Sequence, residues 1–403
     1  MTWTISPPPR SAIVSGVLLR RLLALVLLLA AGAVGWRVLA PAEVLAPATD
    51  AFPAAPERGP GVTGRTAKAP LIVAGRIRVY AAKRQVKADA PVDARTTYTP
   101  RWSLRRWPQQ LNGVVAIGST VVSRWSDGEL VAIDGATGRI AWRVDGPAAG
   151  SFTGSQTGAA TVWTPPGMFT SAATVLVRGG GRVTALDVAT GANRWQADCR
   201  GDSSVTAGGQ LICGDVAYEV DTGKPAVGWP VGPYGGVGCG VARSGCAGFR
   251  DGAGHGWLTS GRTPQRANAL DAPGSVALLV PRTTADGRVI SAFAFSTGAT
   301  VVARSPLTGG ELWRWTGPGG ATVLGSGPDL VLLLTGQRHL VTVNASTGEV
   351  RNDFPLSYDR DATDWQPGSW QAADGYIAIE RLSGRAEQAP YFSVEPVLLA
   401  DTL

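Results

Sequence analysis

Leu130-Val-Ala-Ile-Asp134-Gly-Ala-Thr-Gly138-Arg-Ile-Ala-Trp142 spells out a strand, a tight turn and a returning strand in thirteen residues. Val131 and Ile133 alternate with the period of two that a half-buried strand requires. Asp134, at the strand end, can accept hydrogen bonds from turn N–H groups, and Gly138 supplies a positive φ at little steric cost. Trp142, on the return strand, is too large to be left in water.

The same pattern recurs. Val183-Thr-Ala-Leu-Asp187-Val-Ala-Thr-Gly191-Ala-Asn-Arg-Trp195 matches it position for position in type. A shortened copy, Ala217-Tyr-Glu-Val-Asp221-Thr-Gly223, is followed by Trp229. Two drifted copies run from Val301 through Ser305 and Gly309 to Trp313, and from Leu340 through Asn344 and Gly348 to Phe354. A faint last copy ends at Gly384. The turn glycines at 138, 191, 223, 309, 348 and 384 lie 53, 32, 86, 39 and 36 residues apart. Because 86 is two periods of 43, a degenerate unit is expected near 250–275, with Gly256-Trp257-Leu258 as its strand. Seven units of about 42 residues then fill residues 101–396. The prediction is an all-β chain: a β-propeller of about seven four-stranded blades, with the Trp packed between neighbouring units.

The pattern A-x-D-x-x-T-G-x-x-x-W, most complete at Ala132–Trp142 and Ala185–Trp195, resembles the PQQ-type (quinoprotein-like) β-propeller repeat. That resemblance implies a Trp docked on the neighbouring blade. It also implies two contrasting functions. In quinoprotein dehydrogenases of this fold, PQQ sits near a calcium ion and a catalytic Asp, and the alcohol-oxidising families add a disulfide between adjacent cysteines. In scaffolding relatives the propeller offers its loops to partner proteins. This sequence has no adjacent Cys pair, and its repeated acids Asp134, Asp187 and Asp221 fall at turns, so they are expected to be structural.

Upstream of the repeats, residues 22–36 form an uninterrupted apolar run after Arg10, Arg20 and Arg21, extended past Arg37 to Ala40. About 19 residues reach across a hydrocarbon core of roughly 30 Å. Residues 1–21 are therefore expected in the cytoplasm, 22–40 as a transmembrane helix, and the body outside. A cleaved signal peptide is the rival reading, although Pro41 and Pro47 follow the two small-residue sites and should hinder cleavage. Residues 41–70, rich in Pro, Ala and Gly, read as a linker, 71–100 as a basic arm, and 397–403 as a tail.

Charge is unevenly placed in this chain of net charge +7: residues 61–110 carry eleven Lys or Arg against two Asp, whereas 111–403 carry twenty-one against twenty-five acids. A nucleic-acid reader would carry its positive charge on the folded body, so no nucleic-acid partner is expected. Arg76-Ile77-Arg78-Val79 suggests a strand with apolar residues on one face and guanidinium groups on the other. With Lys83 and Arg84 these arginines form an expected basic collar beside the membrane, facing anionic lipid or an anionic wall polymer.

Cys199, Cys213, Cys239 and Cys246 lie within 48 residues of a chain expected to mature outside the cytoplasm, which points to two disulfides. Three pairings are open, and local pairs, Cys199–Cys213 with Cys239–Cys246, suit neighbouring strands. No Cys precedes residue 199, which excludes a lipidated N-terminal cysteine. Only His255 and His339 exist, no G-x-S-x-G occurs, and Gly236-Val-Gly238-Cys-Gly240 follows no βαβ pattern. Asp359, Asp361 and Asp364 lack the glycine and terminal Glu of a calcium loop. No catalytic, cofactor or metal residues are assigned. The expectation is a membrane-tethered, extracytoplasmic, non-enzymatic scaffold for an unidentified protein or envelope partner. The alternatives are a PQQ-dependent dehydrogenase and a glycan-binding propeller using Trp365 and Trp370.

Overall fold

The computed structural model describes residues 10–403 apart from 97–98, 153, 155, 260, 273, 284–288, 297, 306–307, 359–363 and 384–390. Gly384, Asp359 and Asp361 lie outside the described residues. Helix α1 (Arg10–Leu39) is followed by strands β1 (Ala42–Ala46), β2 (Gly61–Thr66), β3 (Leu71–Val73), β4 (Ile77–Ala82), β5 (Gln85–Asp89) and β6 (Pro100–Trp107). Next come β7 (Leu111–Ile117), β8 (Thr120–Trp125), β9 (Glu129–Asp134) and β10 (Ile140–Asp145). The rest of the chain continues the same up-and-down pattern of antiparallel strands.

The strands form seven hydrogen-bonded sheets of a propeller, the number expected from the repeat period. In chain order, the first is β3 to β6 with β1 on its outer edge, and the second is β7 to β10. The third spans 168–198, the fourth 203–219 and the fifth 235–266. The sixth spans 276–355 and holds seven strands. It is double because the strand Glu311–Gly327 pairs on one side with Gly298–Arg304 and on the other with Leu330–Thr335. One extended segment thus ends one repeat copy and begins the next. The seventh sheet holds 365–401, with β2 as its outermost strand.

Asp134 Oδ1 accepts from the backbone N–H groups of Ala136 (2.8 Å) and Thr137 (2.9 Å), and Asp187 and Asn344 accept in the same way at their turns. Trp142 Nε1 donates to Val188 O (2.8 Å) of the third sheet, and its ring covers Gly191, where an added Cβ would lie 2.8 Å from a ring carbon. Trp195 repeats this on Val220 O and Gly223, and Trp313 on Ala345 O and Gly348. The glycine therefore serves twice: it adopts φ near +70° (74° at Gly191) and leaves a bare face for an indole. Opposite each Trp across the strand pair stands an alanine: Ala132, Ala185 and Ala303.

Two copies need re-registration. In the shortened third copy Gly223 N donates to Glu219 O, as Gly138 N does to Asp134 O. Glu219, and not Asp221, therefore occupies the Asp position, and Val227, 88% exposed, falls where Trp belongs. In the fifth copy Asn352 pairs with Thr342, the place of the Ala–Trp pair, and Phe354 sits two residues further on.

Three expected boundaries are corrected. Residues 41–70 are not a free linker: β1 pairs with β6 over five residues and β2 pairs with the strand Val397–Asp401. Between them, Ala48 N donates to Thr137 O and Arg101 donates to Asp50 O (2.9 Å). Residues 71–100 are not an arm but most of the first sheet, and Trp102, missed in the repeat count, docks on Gly138 and donates to Gly135 O (2.9 Å). Nor is 397–403 a tail, because Val397–Asp401 is wholly buried between β2 and Tyr376–Ser383. The ring closes by joining a strand from near the anchor to the C-terminus. Arg58 reinforces that seam with bonds from Nε (2.7 Å) and Nη2 (2.6 Å) to the Asp401 carboxylate.

Candidate functional site

Inner strands of the sheets surround a cavity of about 620 Å³ lined by Trp163, Val241, Leu278, Leu324 and Trp370 among others, none of its described lining residues being charged. A second cavity of about 280 Å³ opens toward the turns that follow the innermost strands of the first, second and seventh sheets, at Ala74, Gly118 and Asp374. Val241 and Gln371 line both. Gln371 Oε1 is buried and makes no hydrogen bond to the described residues.

The partition between the two is a loop closed by the Cys239–Cys246 disulfide, between strands 235–237 and 248–250 of the fifth sheet. It reaches inward to the second and third sheets. Ala242 N donates to Trp163 O (2.7 Å), and Ser244 Oγ accepts from Thr170 N (2.9 Å) of the third sheet. Ala242 packs in the cluster built by Val115, Val122 and Trp142. Two consecutive non-glycine residues, Ala242 (φ 56°) and Arg243 (φ 49°), take the left-handed conformation, a strained arrangement that surrounding contacts must hold. Arg243 is exposed at the tip. The glycine-rich stretch Gly236–Gly240 thus leads from strand 235–237 into this disulfide loop. The residues that position it, Trp163 and Thr170, carried no sequence signal beyond the close Cys spacing.

Both expected disulfides form, and the pairing is the local one. Cys199–Cys213 ties the end of the third sheet to the fourth. His255 lies beside Asp251 and His339 beside Asp353 in different sheets, so the two histidines do not meet. No group of three or more His, Cys, Asp or Glu suited to a metal occurs among the described residues. Trp365 is not at a loop tip: it begins an inner strand, is 1% exposed, and lies under Arg338. Trp370 is part-exposed on the same strand and donates to Leu324 O (2.8 Å).

The basic residues scatter. Arg76 lies over the Phe52 ring (5.2 Å), Arg84 stacks on Trp107 (3.9 Å), and Lys83 is exposed. Arg78 is 1% exposed. Its strand β4 is covered on both faces, because a strand inside a blade has neighbouring sheets on each side, so the face that alternation marks as polar is buried too. Arg106 is neutralised by Glu43 (3.3 Å), Asp127 (3.0 Å) and Glu129 (2.5 Å). A continuous collar does not form.

Against known proteins, the family model described as outer membrane protein assembly factor BamB, a PQQ-type repeat model, matches residues 26–216. The chain is built from PQQ-type repeats. No curated protein matches it. Among solved structures, BamB from Moraxella catarrhalis is 15% identical with a TM-score of 0.43, covering 86% of this chain and 100% of that one. Sqt1 from Saccharomyces cerevisiae is 8% identical with a TM-score of 0.42, covering 86% and 98%. A europium-containing methanol dehydrogenase is 14% identical with a TM-score of 0.38, covering 88% and 92%.

Proposed function

We propose that this PQQ-repeat propeller is a membrane-tethered, extracytoplasmic, non-enzymatic scaffold that binds a protein or an envelope component. The carrying observation is the axis itself. Its larger cavity presents no charged side chain among its described lining residues, and a disulfide loop of the fifth sheet lines it and is fastened to the second and third. Dehydrogenation of an alcohol needs a base at the hydroxyl proton, and a charged cofactor needs counter-charges. The repeat acids Asp134 and Asp187 are committed to turn N–H groups. Binding on exposed loops is the activity left to such a ring.

The tether rests on α1, whose segment Leu19–Arg37 is long and apolar enough to cross a bilayer. Only Ala40 and Pro41 separate α1 from β1, so the anchor enters the outer edge of the first sheet directly. The test is crosslinking in intact cells followed by mass spectrometry of the purified chain. A recurrent envelope protein crosslinked at the propeller loops, with an N-terminal peptide that retains α1, is the expected result. Copurification of stoichiometric PQQ, together with alcohol-dependent reduction of an electron acceptor, would overturn the reading.

A further inference from the structure

At the seam where the ring closes, β4 and β5 of the first sheet face the segment that follows β2, and a cavity of about 100 Å³ opens between them. Arg65, Lys68, Arg78 and Lys87 line it with Tyr80, against Asp89 and Glu395, an excess of two positive charges. Lys87 is paired with Asp89 (3.1 Å) and Arg65 with Glu395 (3.7 Å). Lys68 and Arg78 have no carboxylate within 4.0 Å among the described residues. Lys68 Nζ donates to Gln156 O, and Arg78 Nη2 to Thr96 O at 3.3 Å.

Arg78 is the anomaly. A guanidinium carries five donors and a permanent charge, and burying it without a counter-ion costs several kcal/mol unless other groups replace the lost water. Its Nε makes no hydrogen bond to the described residues. Arg124, equally buried, also leaves Nε unpaired, but its ends reach the carbonyls of Pro147 (2.9 Å), Ala148 (3.1 Å) and Pro166 (3.4 Å). Among the described residues, Arg78 combines burial, a charge met by one carbonyl and by the Tyr80 ring 5.9 Å away, and a cavity shared with a second cation that lacks a carboxylate partner. Burial keeps Tyr80 protonated, its pKa pushed up to about 12, so its hydroxyl remains able to donate.

We propose that this cavity is a site for one tetrahedral oxyanion of the phosphate class, held by Arg78 and Lys68 with the Tyr80 hydroxyl beside them. The volume sets the class: at about 30 Å³ per water, the space holds roughly three waters, enough for a phosphate group and far too little for a nucleotide or cofactor. A bound dianion would neutralise the two excess charges. It would also join the last sheet, through the loop after β2, to the first. The inference is independent of whether the ring is a scaffold or an enzyme.

The experiment is thermal unfolding of the full chain in neutral detergent, followed by tryptophan fluorescence, in sodium phosphate or sodium chloride of matched ionic strength. Phosphate is expected to raise Tm by about 2 °C or more, because a ligand bound only to the folded state stabilises by mass action. Lys68→Gln should keep its Tm in chloride and lose the phosphate increment. Arg78→Gln should lose the increment too, and its Tm in chloride should hold or rise as a buried charge is removed. If Arg78→Gln fails to fold, Lys68→Gln alone decides. Equal Tm in phosphate and chloride, or an undiminished increment in Lys68→Gln, overturns the site. A second arm reconstitutes the chain in phosphatidylcholine vesicles with or without phosphatidic acid, in phosphate-free buffer. A Tm rise that needs phosphatidic acid and Lys68 identifies a lipid headgroup as the source, and its absence, with the detergent increment intact, identifies free phosphate.

Discussion

Between the second and third sheets, Trp142 lies on the bare face of Gly191 and donates to Val188 O, whereas between the fourth and fifth the equivalent position is Val227, exposed to solvent. The second junction is sealed by other means. Trp229 stacks on Phe249 with centroids 4.6 Å apart, Tyr234 meets the same ring edge-on at 5.2 Å, and Cys246 exchanges backbone hydrogen bonds with Val205 and Ala207. A disulfide lies on each side of the fourth sheet. The repeat unit therefore prescribes a contact area between neighbours and not one residue, and where the Trp is lost, aromatic stacking and backbone hydrogen bonds cover the gap.

The largest expected effect is on the regular junction. Trp142→Ala would empty a buried indole site and cost about 3–5 kcal/mol, read as the midpoint shift in denaturant. An unchanged midpoint would show that the docking contact is dispensable. Next, the Cys199→Ser, Cys213→Ser double variant opens a crosslink of 14 residues and should cost about 3 kcal/mol. If it costs nothing, the third-to-fourth junction depends on Trp195 alone and the disulfide is incidental to it.

The seam is a third kind of junction, and it carries a pH signature. Burial raises the Asp401 pKa, but hydrogen bonds from Arg58, Leu403 N and Gly59 N outweigh it and hold the carboxyl below its ordinary 3.8. A depressed folded pKa gives stability that is fully present above the unfolded value and is lost as pH falls through the folded one. Asp401→Asn should therefore cost about 1.5–3 kcal/mol at neutral pH and flatten the loss of stability below pH 3.8. An identical acid limb in the variant would remove Asp401 from the closure. The smallest effect is expected at the irregular junction: Trp229→Ala, a part-exposed ring whose neighbours Tyr234 and Phe249 keep their edge-on contact, should cost about 1–2 kcal/mol. A cost matching that of Trp142→Ala would mean that one aromatic has simply replaced another.

Sequence alone determined what is local or one neighbour away. Asp134, Gly138 and Trp142 announce a turn and its docking partner because every hydrogen bond they make lies within one hairpin or in the next unit. The apolar run that became α1, the period of the ring and the two short-range disulfides were legible for the same reason. Tertiary structure alone decided the closure, the axis and the fate of the basic residues. Gly61 pairs with Asp401 across the whole chain, and β2, GVTGRT, bears no local mark of a partner so distant. The first unit escaped recognition because Ala90 stands where Asp134 stands in the second, a longer turn follows it, and the Ala88–Trp102 pairing appears only when β5 meets β6. The loop of Val241–Arg243 reaches inward to touch residues seventy or more positions earlier, such as Thr170 and Trp163. Alternation correctly placed Arg78 opposite Ile77 and Val79, but whether that opposite face meets water or another sheet depends on the packing of whole blades, and there it meets a sheet.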